Sequence, residues 1–306
     1  MGKVVVLGSF NVDLMARASR FPMAKETLMG SFFQMGPGGK GFNQCVAAHK
    51  AGCDVKMVAK VGKDAFCDTI LDTMEELSMD SSYILEGDVG TGVALILVNE
   101  VSGENEIVVV AGANLTFNED DFQKIRPLLD EAEYVLLQLE INQWMNEKVA
   151  EYCYEHGIKV IVNTAPYQPI SDDFLSKVYM VTPNEVEAEQ LSGIHIEDFE
   201  SASKAAQYFK SKGVQHVIIT LGSKGVFVSS NHQEEIIPAY KVKAIETTGA
   251  GDAFNGGLLA ALSKGKDIWE AVSFANALAA LSVQKLGTTP SMPPLEEIEA
   301  FLEEHR

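Results

Sequence analysis

Residues 134–163 read YVLLQLEINQWMNEKVAEYCYEHGIKVIVN, and the fold follows from this stretch. Tyr134–Leu139 and Lys159–Asn163 are nearly continuous apolar runs, without the polar alternation of a strand that has one wet face. Asn146–His156, between them, is long enough for an amphipathic helix. A strand, a helix and a second strand covered on both faces form the repeating unit of a parallel sheet.

The same rhythm extends in both directions. Val4–Leu7, Met57–Val61, Met180–Thr182 and Val217–Thr220 are further strand-like runs. Gly41–Ala51, Ala65–Leu77, Glu119–Leu129, Glu185–Leu191 and Ser201–Lys212 are helix-length stretches between them, and Asp252–Ser263, Ile268–Gln284 and Leu295–Glu304 make the C-terminal third helical. The order predicts an α/β fold: a doubly wound, mainly parallel central sheet with helices on both faces.

Two regions break the pattern. Thr27–Met35 is one; the other is Thr91–Ala111, where GVALILVN and EIVVVAG flank a Val-Ser-Gly-Glu-Asn turn. No helix separates these strands, so they cannot be crossover partners. They predict a small β-sheet lid formed by about 14–36 and 91–111, within one domain spanning 1–306. Both alternating sets of GVALILVN are apolar, so one face is expected to close over a ligand and the other to meet a second copy of the chain, giving a homodimer through the lid. A buried strand within the main sheet is the other reading.

The 306 residues carry a formal net charge of −19, which disfavours nucleic acid and anionic membrane as partners. No run reaches the roughly 18 apolar residues of a membrane helix. The N-terminal apolar run is short, β-branched and closed by Gly8, so it reads as a strand and not as a signal peptide. Cys45, Cys53, Cys67 and Cys153 form no C-x-x-C pair and read as reduced thiols of a cytoplasmic protein.

Six motifs carry candidate chemistry. In Thr247-Thr-Gly-Ala-Gly-Asp-Ala-Phe-Asn-Gly-Gly257, Gly249 and Gly251 allow a sharp turn into a helix whose free N–H groups and dipole make an anion hole beside Asp252. The plainer reading of Asp252 is a first-turn acid. Gly36-Pro-Gly-Gly-Lys-Gly-Phe-Asn43 matches G-x-G-x-x-G literally. However, the first strand lies far upstream and the next ends at Lys60–Gly62 without an acid, so a dinucleotide site is disfavoured. Lys40 is followed by Gly41 and so makes no P-loop; the loop suits close approach to a polar ligand, and Pro37 is expected to stiffen it. In Gly8-Ser-Phe-Asn-Val-Asp13, Asn11 and Asp13 point the same way from an extended backbone and suit vicinal hydroxyls, although each alone reads as a turn residue. Gln138-Leu-Glu140 ends a strand, and in Pro183-Asn-Glu-Val-Glu187 the pair Asn184 and Glu187 fits a capping box as well as a functional pair. Ile219-Thr-Leu-Gly-Ser-Lys-Gly225 alone reads as a hairpin.

In this order, GSFNVD, GGKGFN, LQLE, TPNEVEAE, ITLGSKG, TTGAGDAFNGG and KLGTTPSMP resemble the ribokinase family of carbohydrate kinases along essentially the whole chain. The resemblance implies ATP-dependent phosphorylation of a sugar's primary hydroxyl. D-ribose is the leading acceptor, giving D-ribose 5-phosphate, with deoxyribose, fructose or adenosine as alternatives. It implies sugar contacts at Asn11, Asp13, Gly39, Lys40, Asn43 and Glu140, and a catalytic base at Asp252 beside an anion hole of Gly249, Ala250 and Gly251. It places ATP against Asn184, Thr220, Gly222, Gly225, Gly251 and Asn276, with Glu187 organising Mg²⁺ indirectly. It puts a K⁺ site at Glu246, Thr248, Ser282, Lys285, Gly287 and Ser291, mostly through backbone carbonyls. Glu246 stands where the family commonly has Asp, and its longer arm reaches the ion or turns to Lys243 or Lys285. Outside the kinases, a sugar-binding protein would explain Asn11, Asp13 and Glu140 but leaves the anion hole without a task.

Overall fold

A computed structural model describes residues 2–305. Its strands are β1 (Lys3–Leu7), β2 (Asn11–Ala18), β3 (Phe32–Gly38), β4 (Val55–Val61), β5 (Ile84–Glu86), β6 (Gly92–Asn99), β7 (Asn105–Val110), β8 (Ala132–Gln138), β9 (Lys159–Asn163), β10 (Met180–Val181), β11 (His216–Thr220), β12 (Val226–Ser230) and β13 (Gln233–Ile237). Its helices are α1 (Lys40–Lys50), α2 (Ala65–Glu76), α3 (Glu119–Leu129), α4 (Gln143–Glu155), α5 (Asp172–Ser176), α6 (Glu185–Ser192), α7 (Phe199–Ser211), α8 (Ala250–Ser263), α9 (Ile268–Ser282) and α10 (Leu295–Glu304).

Nine strands form one sheet in the order β13-β12-β11-β10-β9-β8-β1-β4-β5. Every pairing from β11 to β5 is parallel, and only the β11–β12–β13 edge is antiparallel. The unbroken apolar runs are explained by burial on both sides. In β1, Val4 and Val6 pack with residues of α1, α8 and α9, whereas Val5 and Leu7 pack with residues of α3, α4 and α7. Leu136 is wholly buried, and truncating such a residue to alanine typically costs about 2–5 kcal/mol.

After β1 the chain adds β4 and β5 on one side and then returns to lay β8 on the other. Strand order therefore reverses between β1 and β8, and in open α/β sheets ligands bind outside the carboxyl ends of the strands at such a reversal.

The hairpin expected over Thr91–Ala111 is β6 and β7, and it belongs to a separate four-stranded sheet of order β3-β2-β6-β7 rather than to the main sheet. Pro37 lies within β3, paired with Val12, and not in a loop. Proline is tolerated there because β3 is an edge strand, where its missing N–H breaks no ladder. Gly38 of the G-x-G-x-x-G match closes this edge strand, so the context of a dinucleotide fingerprint is absent. None of the described helices is long and apolar enough to cross a membrane. All four cysteines are free thiols.

Candidate active site

The carboxyl ends of β1 and β8 are joined by side chains. Glu140, just past β8, accepts from the Ser9 hydroxyl and, at 2.9 Å, from the Lys40 N–H. The second bond caps α1 from outside: its N-cap, Gly39, has no side chain and φ 93°. Glu140 thereby fixes the helix that carries Lys40, Asn43 and Gln44.

Asp252 lies in the first turn of α8 and is 7% exposed. Its Oδ2 accepts from Asn43 Nδ2 at 3.1 Å and its Oδ1 from Gln44 Nε2 at 2.9 Å. Burial pushes its pKa up; the Lys40 charge and the Gln44 and Asn43 hydrogen bonds oppose that, and Glu140 adds to it. Lys40 is half-buried, which works against its charge, but the carboxylates of Asp252, Glu140 and Glu187 outweigh this and hold its pKa above the usual value. The site is thus a lysine ammonium among acids.

Asp13 faces the same space from β2. Its carboxyl is pushed up to about 6, first by burial and then by Glu140 and Asp252. The backbone of β3 approaches it so closely that a Cβ on Gly38 would lie 2.3 Å from Asp13 Oδ1. Asn11 lies on the same strand, and its Oδ1 accepts from Asn114 Nδ2 at 3.0 Å. Asn11, Asp13, Gly39, Lys40, Asn43, Glu140 and Asp252 are therefore gathered at the β1/β8 reversal, under the start of the small sheet.

The N-cap of α8, Gly249, sits at φ 80° and makes no side-chain cap; the Ala250 amide turns back to the Thr247 carbonyl at 3.2 Å, and the first-turn amides of Gly251 and Asp252 meet no capping side chain. A Cβ on Gly251 would meet nothing within 4 Å. Neither its backbone nor its packing calls for glycine there, which is the signature of a surface that something else approaches.

A second group lines the ends of β10 and β11. Asn184 and Glu187 form the expected capping box: Glu187 Oε2 accepts from the Asn184 N–H at 3.0 Å and its Oε1 from Asn184 Nδ2 at 2.9 Å. Thr164 Oγ1 also donates to Glu187 Oε2, at 3.2 Å. Thr220 bridges to Asn184, and the turn through Gly222 and Gly225 follows it into the β11–β12 hairpin. Asn276 on α9 reaches the Pro238 carbonyl at 3.5 Å.

The third group holds the segment before α8. Ile245 and Glu246 donate their N–H groups to the Val283 carbonyl, and Glu246 Oε2 accepts from the Gly287 N–H at 2.8 Å. Glu246 does not turn to Lys285, whose ammonium pairs with Glu297 at 2.9 Å because that carboxylate lies across from it on α10. The Ser282 and Ser291 hydroxyls bond locally to Ala279 and Thr288 carbonyls, which leaves backbone oxygens as the donors of this region.

Several polar residues of the site lie outside the motifs. Asn163 and Thr182 close the apolar runs of β9 and β10; Asn163 Nδ2 donates to the Thr182 carbonyl at 2.9 Å, and Thr182 Oγ1 donates to Asn255 Oδ1 at 2.6 Å. Asn255 Nδ2 in turn holds the Gly251 carbonyl at 2.8 Å. The available signal was a single polar residue at the end of each apolar strand, at the edge where ligands bind.

A doubly wound sheet with a small β-sheet at its carboxyl edge, and a buried carboxylate beside an uncapped helix start, defines a carbohydrate kinase. The chain belongs to the pfkB family of carbohydrate kinases, which residues 1–295 match. It is 40% identical over 301 residues to the ribokinase of Haemophilus influenzae, covering 98% of each chain. It is 34% identical over 301 residues to the deoxyribokinase of Salmonella typhi, again covering 98% of each. The structure of Arabidopsis thaliana ribokinase complexed with ribose and ATP superposes with a TM-score of 0.92 at 30% identity, covering 99% of this chain and 98% of that one.

Proposed function

We propose that this kinase transfers the terminal phosphoryl group of ATP to the primary hydroxyl of D-ribose, giving D-ribose 5-phosphate and ADP. The observation that carries the proposal is Asp252, buried among sugar-suited polar groups and next to the open first turn of α8. The ribokinase relatives, one of them complexed with ribose and ATP, favour ribose as the acceptor.

Phosphoryl transfer needs positioning and charge stabilisation more than covalent help. Asn11, Asp13, Lys40, Asn43 and Glu140 hold the sugar with its primary hydroxyl at Asp252. A carboxylate is too weak a base to strip an alcohol in the ground state. Asp252 orients the hydroxyl first and accepts its proton late, as the oxygen–phosphorus bond forms and the bond to ADP breaks. The amides of Gly249, Ala250 and Gly251 face the charge on the transferred group. Thr220, Gly222, Gly225 and Asn276 cradle the nucleotide, with Asn184 near its phosphates.

Two ions fit the residues present. Both Glu187 oxygens are occupied by the capping box and Thr164, so Glu187 suits Mg²⁺ held through water, which that ion readily retains. A bound Mg²⁺ would neutralise phosphate charge in this acidic protein. The carbonyls of Thr248, Ser282, Lys285, Gly287 and Ser291 with the Glu246 carboxylate would supply the all-oxygen donors that suit K⁺, beside the C-terminal end of α9. The small sheet acts as a lid and joins two copies into a homodimer.

ADP release with ribose, deoxyribose, fructose and adenosine tests the reading, with the highest kcat/KM expected for ribose. The Salmonella typhi relative makes deoxyribose the second candidate. A higher value with another acceptor would move the substrate and keep the kinase; no ADP release with any of them would overturn both.

A further inference from the structure

We infer that Gln44 is a positioning residue that holds the Asp252 carboxylate in its proton-accepting orientation, and that its own orientation is dictated from the backbone at the end of β10. The inference rests on the reading of Asp252 as the base.

The chain of donors and acceptors permits only one arrangement. It begins at the Thr182 carbonyl, which can only accept. Asn163 therefore turns its Nδ2 to that carbonyl, at 2.9 Å, and its Oδ1 the other way. Gln44 Nε2 donates to this Oδ1 at 3.0 Å and spends its second hydrogen on Asp252 Oδ1 at 2.9 Å. Gln44 Oε1 accepts from Gln138 Nε2 at 2.7 Å, so every polar atom of the buried Gln44 amide is committed.

Flipping the Gln44 amide would set its oxygen against two acceptors, Asn163 Oδ1 and Asp252 Oδ1. Flipping Asn163 would set its oxygen against the Thr182 carbonyl. The polarity is thus transmitted from a main-chain group to the catalytic carboxylate through two side chains.

Gln138 shows what this arrangement costs. Its Nε2 serves Gln44, and its own Oε1 is left buried with no hydrogen-bond partner. Buried amide oxygens are almost always satisfied. With its Nε2 committed to Gln44 Oε1, Gln138 keeps Gln44 presenting a donor, and not an acceptor, to Asp252.

Two consequences follow. Gln44 and Asn43 each occupy one Asp252 oxygen, which fixes the plane of the carboxylate and leaves its remaining lone pairs for the substrate hydroxyl. Gln44 also favours the charged form of a carboxyl that faces Lys40 from α1, Glu140 from the end of β8, Asp13 from β2 and, beyond Lys40, Glu187 from α6. Of these neighbours only Lys40 also favours that form.

Gln44→Met keeps the side-chain length and removes both donors. The acid limb of the kcat–pH profile is expected to move to higher pH by about one unit, with kcat at neutral pH down roughly tenfold, the effect of one lost hydrogen bond to a charged acceptor. KM for the sugar is expected to change less than about twofold, because binding groups are untouched. Asn163→Ala leaves Gln44 in place but removes the acceptor that orients it, and is expected to move the same limb in the same direction by less. This second variant also decides the matter if Gln44→Met does not fold.

Asp252→Asn is measured alongside. If it keeps wild-type turnover, the base assignment itself fails. If it abolishes turnover while both network variants keep the wild-type acid limb, or raise KM at unchanged kcat, the inference about Gln44 fails alone.

Discussion

The side-chain amide of Asn114 closes on both backbone groups of Phe10: its Oδ1 accepts from the Phe10 N–H at 3.0 Å and its Nδ2 donates to the Phe10 carbonyl at 2.9 Å. Phe10 lies where the chain leaves β1 for the small sheet, and Asn114 lies in the 3-10 turn by which it returns after β7. The two hydrogens of the same Nδ2 are shared among the Phe10 carbonyl, the Ala111 carbonyl and Asn11 Oδ1. A third crossing, at Thr91, is held by Asp64, which accepts from the Thr91 N–H and hydroxyl, each at 2.8 Å. Because Asn114 presents a donor, Asn11 must turn its oxygen inward and its NH₂ toward the site.

Asn114→Ala should therefore act on both stability and binding. It leaves the buried Phe10 groups unpaired, at about 1–3 kcal/mol, and frees Asn11 to rotate. Chemical denaturation is expected to show the loss, and KM for the sugar should rise more than kcat falls. An unchanged KM would mean that Asn114 serves the fold alone.

Asp13 should destabilise the free enzyme at neutral pH. Its folded pKa of about 6 lies above its ordinary 3.8, so the folded chain holds that proton more tightly than the unfolded chain. Stability then falls as pH rises from about 4 to about 6, and the whole penalty is present above that. Asp13→Asn is expected to gain on the order of 1–3 kcal/mol at pH 7.5, with the gain vanishing below about pH 4. The same variant should raise the sugar KM at least tenfold, because roughly 1.5–3 kcal/mol attends a hydrogen bond to a charged group. Thermal melts and saturation curves at several pH values would check both halves.

Much of the fold was legible because strands covered on both faces leave unbroken apolar runs, as in Val4–Leu7 and in residues 160–162. β2 was legible only in part: Val12, Leu14, Ala16 and Ala18 alternate with Asn11, Asp13 and Arg17, but Met15 breaks the alternation, and only residues from 14 onward fall in the expected lid. The sugar-facing, base and anion-hole residues could be nominated because glycines and polar residues cluster within motifs. Gln44, Asn163 and Asn114 could not. Their meaning lies in partners 208, 119 and 104 residues away, and each taken alone is an ordinary amide.

Gly251→Ala separates stability from catalysis. A Cβ there meets no protein atom and requires no left-handed backbone, so alanine should stabilise α8 by up to about 1 kcal/mol. If phosphate charge develops against this turn, the methyl intrudes on it, and kcat is expected to fall about 10²-fold or more, as on loss of an oxyanion donor. A variant that is both more stable and fully active would remove the anion hole from the mechanism.

Dimerisation should use the face of the small sheet that points away from Asp13. Met35, Leu14, Leu95 and Val108 are paired across its four strands in one row, and Met35, Leu95 and Val108 are 50%, 46% and 60% exposed. Such a row is an unusual surface for a monomer. Wild-type protein at micromolar concentration is expected to scatter light as a dimer, and Leu95→Lys as a monomer. A monomeric wild type would end the proposal.

Potassium activation is the hardest test of the resemblance, because Glu246 already has work to do. Its carboxylate accepts from the Gly287 N–H and so ties the segment before α8 to the loop after α9. An ion beside it would brace the Gly249 turn further and add positive field behind the transferred group. With one oxygen occupied by Gly287 and an extra methylene to freeze, Glu246 should bind K⁺ more weakly than aspartate would. Activity in K⁺, in Na⁺ and in a large organic cation at equal ionic strength is expected to be highest in K⁺. Glu246→Asp should lower the K⁺ concentration for half-activation. Equal rates in all three salts would show that the site has been lost.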